Sequence, residues 1–126
     1  MGDKMEMIVL LLVASAAIMG GVAQVLLKKG LMNVGKLSLI EMTKQFVKIT
    51  ITNPYVFAGL LIYVISTIIY LAALSRGELS ILYPIISISY VITAVLAVLF
   101  LNEKITITRW IGIITIVVGV FLVVWK

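Results

Sequence analysis

Four stretches of this chain carry no acidic or basic side chain: Met7–Leu27 (21 residues), Tyr55–Leu74 (20), Leu79–Leu101 (23) and Trp110–Val124 (15). A helix needs about 20 mostly apolar residues to cross a hydrocarbon layer of roughly 30 Å. The first three stretches meet that length directly. The fourth meets it if its helix begins near Thr106 or Thr108, with Arg109 snorkelling to the headgroups and Trp110 and Trp125 at the two interfaces. Apolar residues make up 63 % of the 126 and charged ones 12 %, against about 45–50 % and about 25 % in a soluble domain. The chain therefore reads as one all-α membrane domain over residues 1–126, with four transmembrane helices. Ala14-Ser15-Ala16 faintly resembles a signal-peptidase site, but the apolar run is longer than a signal core and more membrane sequence follows, so the first helix is expected to remain.

Chemistry is constrained just as strongly. The chain has no cysteine and no histidine, which removes disulfides, thiolate or imidazole metal sites and the usual nucleophile–base pairs. Its five acids (Asp3, Glu6, Glu41, Glu78 and Glu103) are scattered. No enzyme, metal or cofactor is expected. The net charge of +5 suits anionic lipid headgroups, whereas nucleic-acid binding would need a soluble basic face.

The longest connection, Lys28–Pro54, has a pattern of its own. Ser38 and Glu41 stand at capping-box spacing. Beyond them Leu39, Met42, Phe46 and Ile49 recur at steps of three and four, with Glu41, Lys44, Gln45 and Lys48 on the other side. This predicts a short amphipathic helix lying in the interface between the first and second spans. It would serve as a belt around the bundle, or as a lateral gate or headgroup contact. Pro54, after Asn53, suits the first position of the second span. Loops one and three hold seven of the ten basic residues (Lys28, Lys29, Lys36, Lys44, Lys48, Lys104 and Arg109), and the termini and loop two hold three (Lys4, Arg76 and Lys126). The positive-inside rule then puts loops one and three in the cytoplasm and both termini outside a cell membrane.

Polar side chains inside the spans are costly and mark candidate sites. Gln24 and Lys28, four apart, share a face of the first helix. Gln24 could bind a ligand or glue helices together; Lys28 could meet a phosphate or snorkel. The second span places Tyr63, Ser66, Thr67 and Tyr70 on a stripe. The third is richest, with Tyr83, Pro84, Ser87 and Tyr90, and Ser89 and Thr93 beside them. Pro84 permits a bend or local unwinding, and an interrupted helix with a polar stripe is a pointer to a transport site. Gly112 and Gly119, seven apart on the fourth span, permit close helix approach, as a dimer seam or within the chain.

Three segments resemble the drug/metabolite transporter superfamily, specifically its short four-helix members. They are Gly21–Gly30, with Gln24 and Lys28-Lys29-Gly30; Ala73–Pro84, ending Leu82-Tyr83-Pro84; and Phe100-Leu101-Asn102-Glu103-Lys104 through Trp110-Ile111-Gly112 to Gly119-Val120. The Gly112–Gly119 pairing is similar to the dimer seam of small multidrug resistance proteins. Those exchange protons for hydrophobic cations through a first-helix glutamate, but no carboxylate lies between Met7 and Leu27 here. The aromatic expected two turns into their third helix is Ile86. The chain looks closer to EamA-like proteins similar to flippase subunits for aminoarabinose-phosphoundecaprenol. That resemblance implies a flippase or exporter of a polyprenyl-phosphate-linked sugar or similar amphipathic lipid. It would work as a homodimer or as a heterodimer with a similar chain. The expected path is Gln24, Lys28, Tyr63, Tyr70, Tyr83, Ser87 and Tyr90, with Lys28 receiving the phosphate, Glu78 and Arg76 as a mouth or coupling pair, and Pro84 at the helix bend. Two alternatives stay open: an exporter of hydrophobic cations or metabolites, and a non-transporting scaffold subunit.

Overall fold

The computed structural model describes the backbone of residues 2–125 and the side chains of residues 7–125. Lys4 and Lys126, which enter the orientation count, lie outside the described side chains. Among the described residues six helices follow in order: α1 (Gly2–Val34), α2 (Leu39–Thr52), α3 (Pro54–Leu74), α4 (Leu79–Ile86), α5 (Ser89–Phe100) and α6 (Ile107–Val124). Four units are long and apolar enough to span a membrane: Met7–Val34, Pro54–Leu74, Leu79–Phe100 and Ile107–Val124. The chain is a four-span all-α membrane protein with a shorter amphipathic helix, α2, between the first and second spans.

The first helix outruns its apolar window. Lys28 and Lys29 close the window, but lysine is a good helix former and nothing stops the helix before Gly35. There φ turns to +92°, and the Gly35 N–H donates to the Leu31 carbonyl at 3.0 Å. This is the left-handed cap that glycine adopts without steric cost. At 1.5 Å per residue the stretch from Met7 to Lys28 rises about 32 Å, which sets Lys28 at the far edge of the apolar layer. The link between α1 and α2 thus shrinks to the four residues 35–38.

Ser38 caps α2, its hydroxyl accepting from the Glu41 N–H at 3.2 Å. Leu39, Ile40, Phe46, Val47 and Ile51 stay exposed on a broad apolar arc, as suits a helix half sunk in the interface. Asn53 alone joins α2 to α3. Its backbone N–H closes α2 on Ile49, while its side-chain oxygen accepts from the Tyr55 and Val56 N–H groups at 3.1 and 3.3 Å. Its amide nitrogen donates to the Gly30 carbonyl on α1 at 2.9 Å. Nearby the Lys29 ammonium lies 5.3 Å from the centre of the Tyr55 ring, within cation–π range.

α1 is the axis of the bundle and packs on α3, α4 and α5. Its seam with α3 is made of small residues. Ala16, Ala23 and Gly59 are buried, and a Cβ on Gly59 would meet the Leu27 side chain at 2.9 Å and the Ala23 carbonyl at 3.1 Å. The buried Ser66 hydroxyl donates across the seam to the Ala16 carbonyl at 2.7 Å. Without a hydrophobic drive between helices in lipid, such close approach and interhelical bonding are what hold spans together. Apolar clusters close the two ends: Val9, Val13, Ala73, Leu82, Ile85 and Val120 at the end bearing the termini, and Val25, Ala97 and Leu101 at the other. α6 is the least embedded span, with Ile113 and Val120 its buried residues.

Replacing Asn53 by alanine removes both a helix cap and an interhelical bond. The expected loss is about 2 kcal/mol, read as a lowered midpoint of thermal unfolding in detergent. An Asn53→Asp variant, which keeps the cap but not the amide donor, should fall between wild type and Asn53→Ala.

Candidate functional site

The third span is where the helical ladder breaks. Pro84 has no N–H to give to the preceding turn, and over the next turn the chain tightens to three-residue bonding. Ser87 N–H donates to the Pro84 carbonyl, Ile88 to Ile85, Tyr90 to Ser87 and Val91 to Ile88, at 2.9 to 3.1 Å. The Ser87 hydroxyl also donates to the Pro84 carbonyl. Regular helix resumes as α5, so the span is two helices joined through Ser87 and Ile88. α1 approaches this joint closely: a Cβ on the buried Gly21 would sit 3.1 Å from the Ser89 carbonyl and 3.0 Å from the Ile92 side chain.

Three grooves run along the interrupted span and share residues. One of about 470 Å³, toward the end bearing the termini, is lined by Leu79, Ser80, Tyr83 and Pro84. The central one, about 450 Å³, continues from Tyr83 through Ile86, Ser87, Ser89, Tyr90 and Thr93, with Gln24 of α1 and Ile116 of α6 on its flanks. A narrower groove of about 190 Å³ takes over at Tyr90 and Thr93 and reaches Glu103 and Arg109 beyond α5. Tyr83 borders the first two grooves, and Tyr90 and Thr93 border the last two, so the three succeed one another along the span as a track. From Leu79 to Phe100 the helical rise is about 32 Å, comparable to the hydrocarbon thickness. Hydroxyls at Ser80, Tyr83, Ser87, Ser89, Tyr90 and Thr93 punctuate an otherwise apolar wall.

Gln24, Tyr83, Ser87 and Tyr90 are therefore brought together, and Pro84 stands one turn before the joint they surround. Lys28, one turn beyond Gln24 on α1, is exposed and lines none of the three grooves. Tyr63 is exposed on α3, also off the track. Tyr70 packs against the Val9–Val13–Leu82 cluster. Its hydroxyl is buried with no hydrogen-bond partner among the described residues. Arg76 and Glu78 are exposed in the turn before α4. The Glu78 carbonyl accepts from Ile81 and Leu82, while its side chain forms no cap bond. Gly112 and Gly119 have nothing of their own chain within 4 Å of where a side chain would project. Ile116 is four residues from one and three from the other, so the bare glycine face borders the track.

Sequence reasoning missed the outer walls of this site. Thr93, which the sequence sets beside the stripe and outside the expected path, follows Tyr90 by three residues and lines the groove. Glu103 entered as one of five scattered acids and Arg109 as a snorkelling, cytoplasm-side charge, and the groove-lining Ile113 and Ile116 are indistinguishable in sequence from their lipid-facing neighbours.

Since the chain lacks cysteine, single-cysteine variants can be probed without background. In liposomes a water-soluble thiol reagent should label Ser87→Cys and Thr93→Cys while sparing Ile114→Cys and Val117→Cys on the outer face of α6. Equal labelling at all four would mean that the track is dry. Separately, Tyr70→Phe removes an unpartnered hydroxyl and should raise stability by about 1 kcal/mol, measured as a higher unfolding midpoint.

Comparison with known proteins places this chain in a family. The EamA-like transporter family matches residues 37–125. The probable 4-amino-4-deoxy-L-arabinose-phosphoundecaprenol flippase subunit ArnF of Proteus mirabilis is 35 % identical over 120 residues, covering 89 % of this chain and 88 % of that one. An uncharacterised protein of Methanocaldococcus jannaschii is 37 % identical over 68 residues, covering 54 % of this chain and 50 % of its own length. The probable flippase subunit ArnE of Yersinia pseudotuberculosis is 34 % identical over 58 residues, covering 46 % of this chain and 51 % of that one. No solved structure matches. With four apolar spans and a family match over most of its length, the chain belongs to the EamA-like transporters, as a small multi-pass membrane protein.

Proposed function

We propose that this chain is a flippase or exporter for a polyprenyl-phosphate-linked sugar or a similar amphipathic lipid, working as a dimer in the cell membrane. The observation that carries the reading is the succession of grooves along the third span, from Leu79 to Arg109. A sugar-phosphate headgroup cannot cross hydrocarbon without partners for its polar atoms. The hydroxyls of Tyr83, Ser87, Tyr90 and Thr93 and the Gln24 amide supply such partners in sequence, while the polyprenyl tail stays in lipid. The relatives in Proteus and Yersinia, described as subunits of a flippase for such a lipid, support the same substrate class.

In this reading loops one and three face the cytoplasm and the termini face outward. Lys28 meets the phosphate where the lipid joins the protein from the cytoplasmic leaflet, as a charge-assisted contact. Tyr63 and Tyr70, off the track on α3, take no part in the path. Arg76 and Glu78 stand at the outer mouth. A second copy, or a similar partner chain, seats on the Gly112–Gly119 face and closes the track along its Ile116 edge. The broken span supplies the joint about which one half rocks against the other.

The test is transbilayer movement of a fluorescent polyprenyl-phosphate sugar in proteoliposomes. Wild type should move it, Gln24→Leu and Tyr90→Ala should slow it by about tenfold each, and Lys28→Glu should slow it further at low lipid concentration. Gly112→Leu combined with Gly119→Leu should abolish both cross-linked dimer and movement. A wild-type chain that moves no such lipid, but protects cells against quaternary cations, would transfer the assignment to a multidrug exporter.

A further inference from the structure

The net charge of this chain belongs to one end of its bundle. In sequence, seven of the ten bases flank the spans at the end where α2 lies, against two acids, Glu41 and Glu103, a net of +5. The residues flanking the other end balance, with Lys4, Arg76 and Lys126 against Asp3, Glu6 and Glu78. Within the basic end, α2 is the element that can lie along a surface. α1 runs six residues past Lys28, about 9 Å beyond the edge of the apolar layer. α2 returns from there to Asn53, which is tied to the Gly30 carbonyl at 2.9 Å. The helix is thereby held at the level of the headgroups.

The faces of α2 suit that level. Ile49 turns toward the bundle and is buried, while Ile40, Val47 and Ile51, on the opposite side, are exposed. Within the apolar arc the Thr43 and Thr50 hydroxyls donate to the Leu39 and Phe46 carbonyls of their own helix at 2.8 and 2.7 Å. The arc therefore sets no unsatisfied hydroxyl donor against acyl chains. Lys44 and Lys48, four residues apart on its flank, are exposed. Their stems can lie along the arc while both ammonium groups reach outward.

We infer that α2 is a docking surface for an anionic lipid leaflet, with Ile40, Val47 and Ile51 among the acyl chains and Lys44 and Lys48 on the phosphates of acidic lipids. Charge selects this occupant. A second copy seated on α2 would set one basic end against another, and a zwitterionic leaflet would cover the apolar arc but leave the charge unanswered. Each lysine near an acidic surface favours the docked state by about fivefold. The inference concerns the lipid around the chain and stands whatever the track carries.

The experiment uses the full-length chain with one cysteine, Val47→Cys, bearing an environment-sensitive fluorophore. It is placed in nanodiscs of mixed phosphatidylcholine and phosphatidylglycerol, one or the other brominated in its acyl chains to quench the probe. At low salt phosphatidylglycerol should occupy the α2 surface about fivefold in preference to phosphatidylcholine, and about 0.5 M salt should shrink that preference. Lys44→Gln with Lys48→Gln should bring the ratio close to one, and Lys44→Arg with Lys48→Arg should keep it. A probe at Ile114→Cys on α6 should show no preference. Equal quenching by the two lipids at Val47→Cys, or a preference that survives the paired glutamines, overturns the inference. A probe that neither lipid quenches, with cross-linking between copies through the same cysteine, would mean that a second chain covers the face and would equally overturn it.

Discussion

The seam between α1 and α3 is the constraint from which the rest of the bundle follows. In water a helix pair can rely on expelling solvent; in lipid the alternative to a helix neighbour is an equally apolar acyl chain. Close backbone approach must then supply the attraction, and here Ala16, Ala23 and Gly59 permit it while the Ser66 hydroxyl bonds across the gap to Ala16. With α3 held on one side, α1 presents Gly21 on another to the joint of the third span. The central helix is thus narrow where it must be narrow, and Gln24 is left facing the groove rather than being spent on packing.

The interruption at Ser87 and Ile88 gains its meaning from that neighbour. A lone proline kinks a helix; here the tightened bonding after Pro84 is pressed against a glycine of α1, so the break is held in place by packing as well as by the proline ring. The polar stripe follows the break on both sides. Tyr83 precedes it, Ser87 sits in it, and Tyr90 and Thr93 follow it. One track therefore crosses from α4 to α5 without leaving the span.

Much of this was legible from the order of residues. Charge-free windows located the spans because lipid tolerates no other arrangement, and Ser38 and Pro54 marked helix starts, the first through its capping hydroxyl and the second through its missing N–H. The true end of α1 was hidden, since two lysines end an apolar window without ending a helix, and only the left-handed Gly35 does that. The stripe of the third span was visible as a period. Its walls were not: Ile113 and Ile116 owe their role to where α6 docks, and Glu103 and Arg109 line one groove because the turn at Asn102 and the start of α6 at Thr106 place them there. Asn53 hid a second task behind the first, because a side chain that caps its own helix gives no sequence sign that it also ties down another.

That one-residue junction has a mechanical consequence. Asn53 closes α2, opens α3 and is tethered to Gly30 of α1, leaving no slack in between. Spans respond to bilayer thickness by changing tilt, and any lean of α3 must be transmitted through this hinge to the surface helix. Local membrane stretching would thus reach the protein as torque on a lever floating at the headgroups.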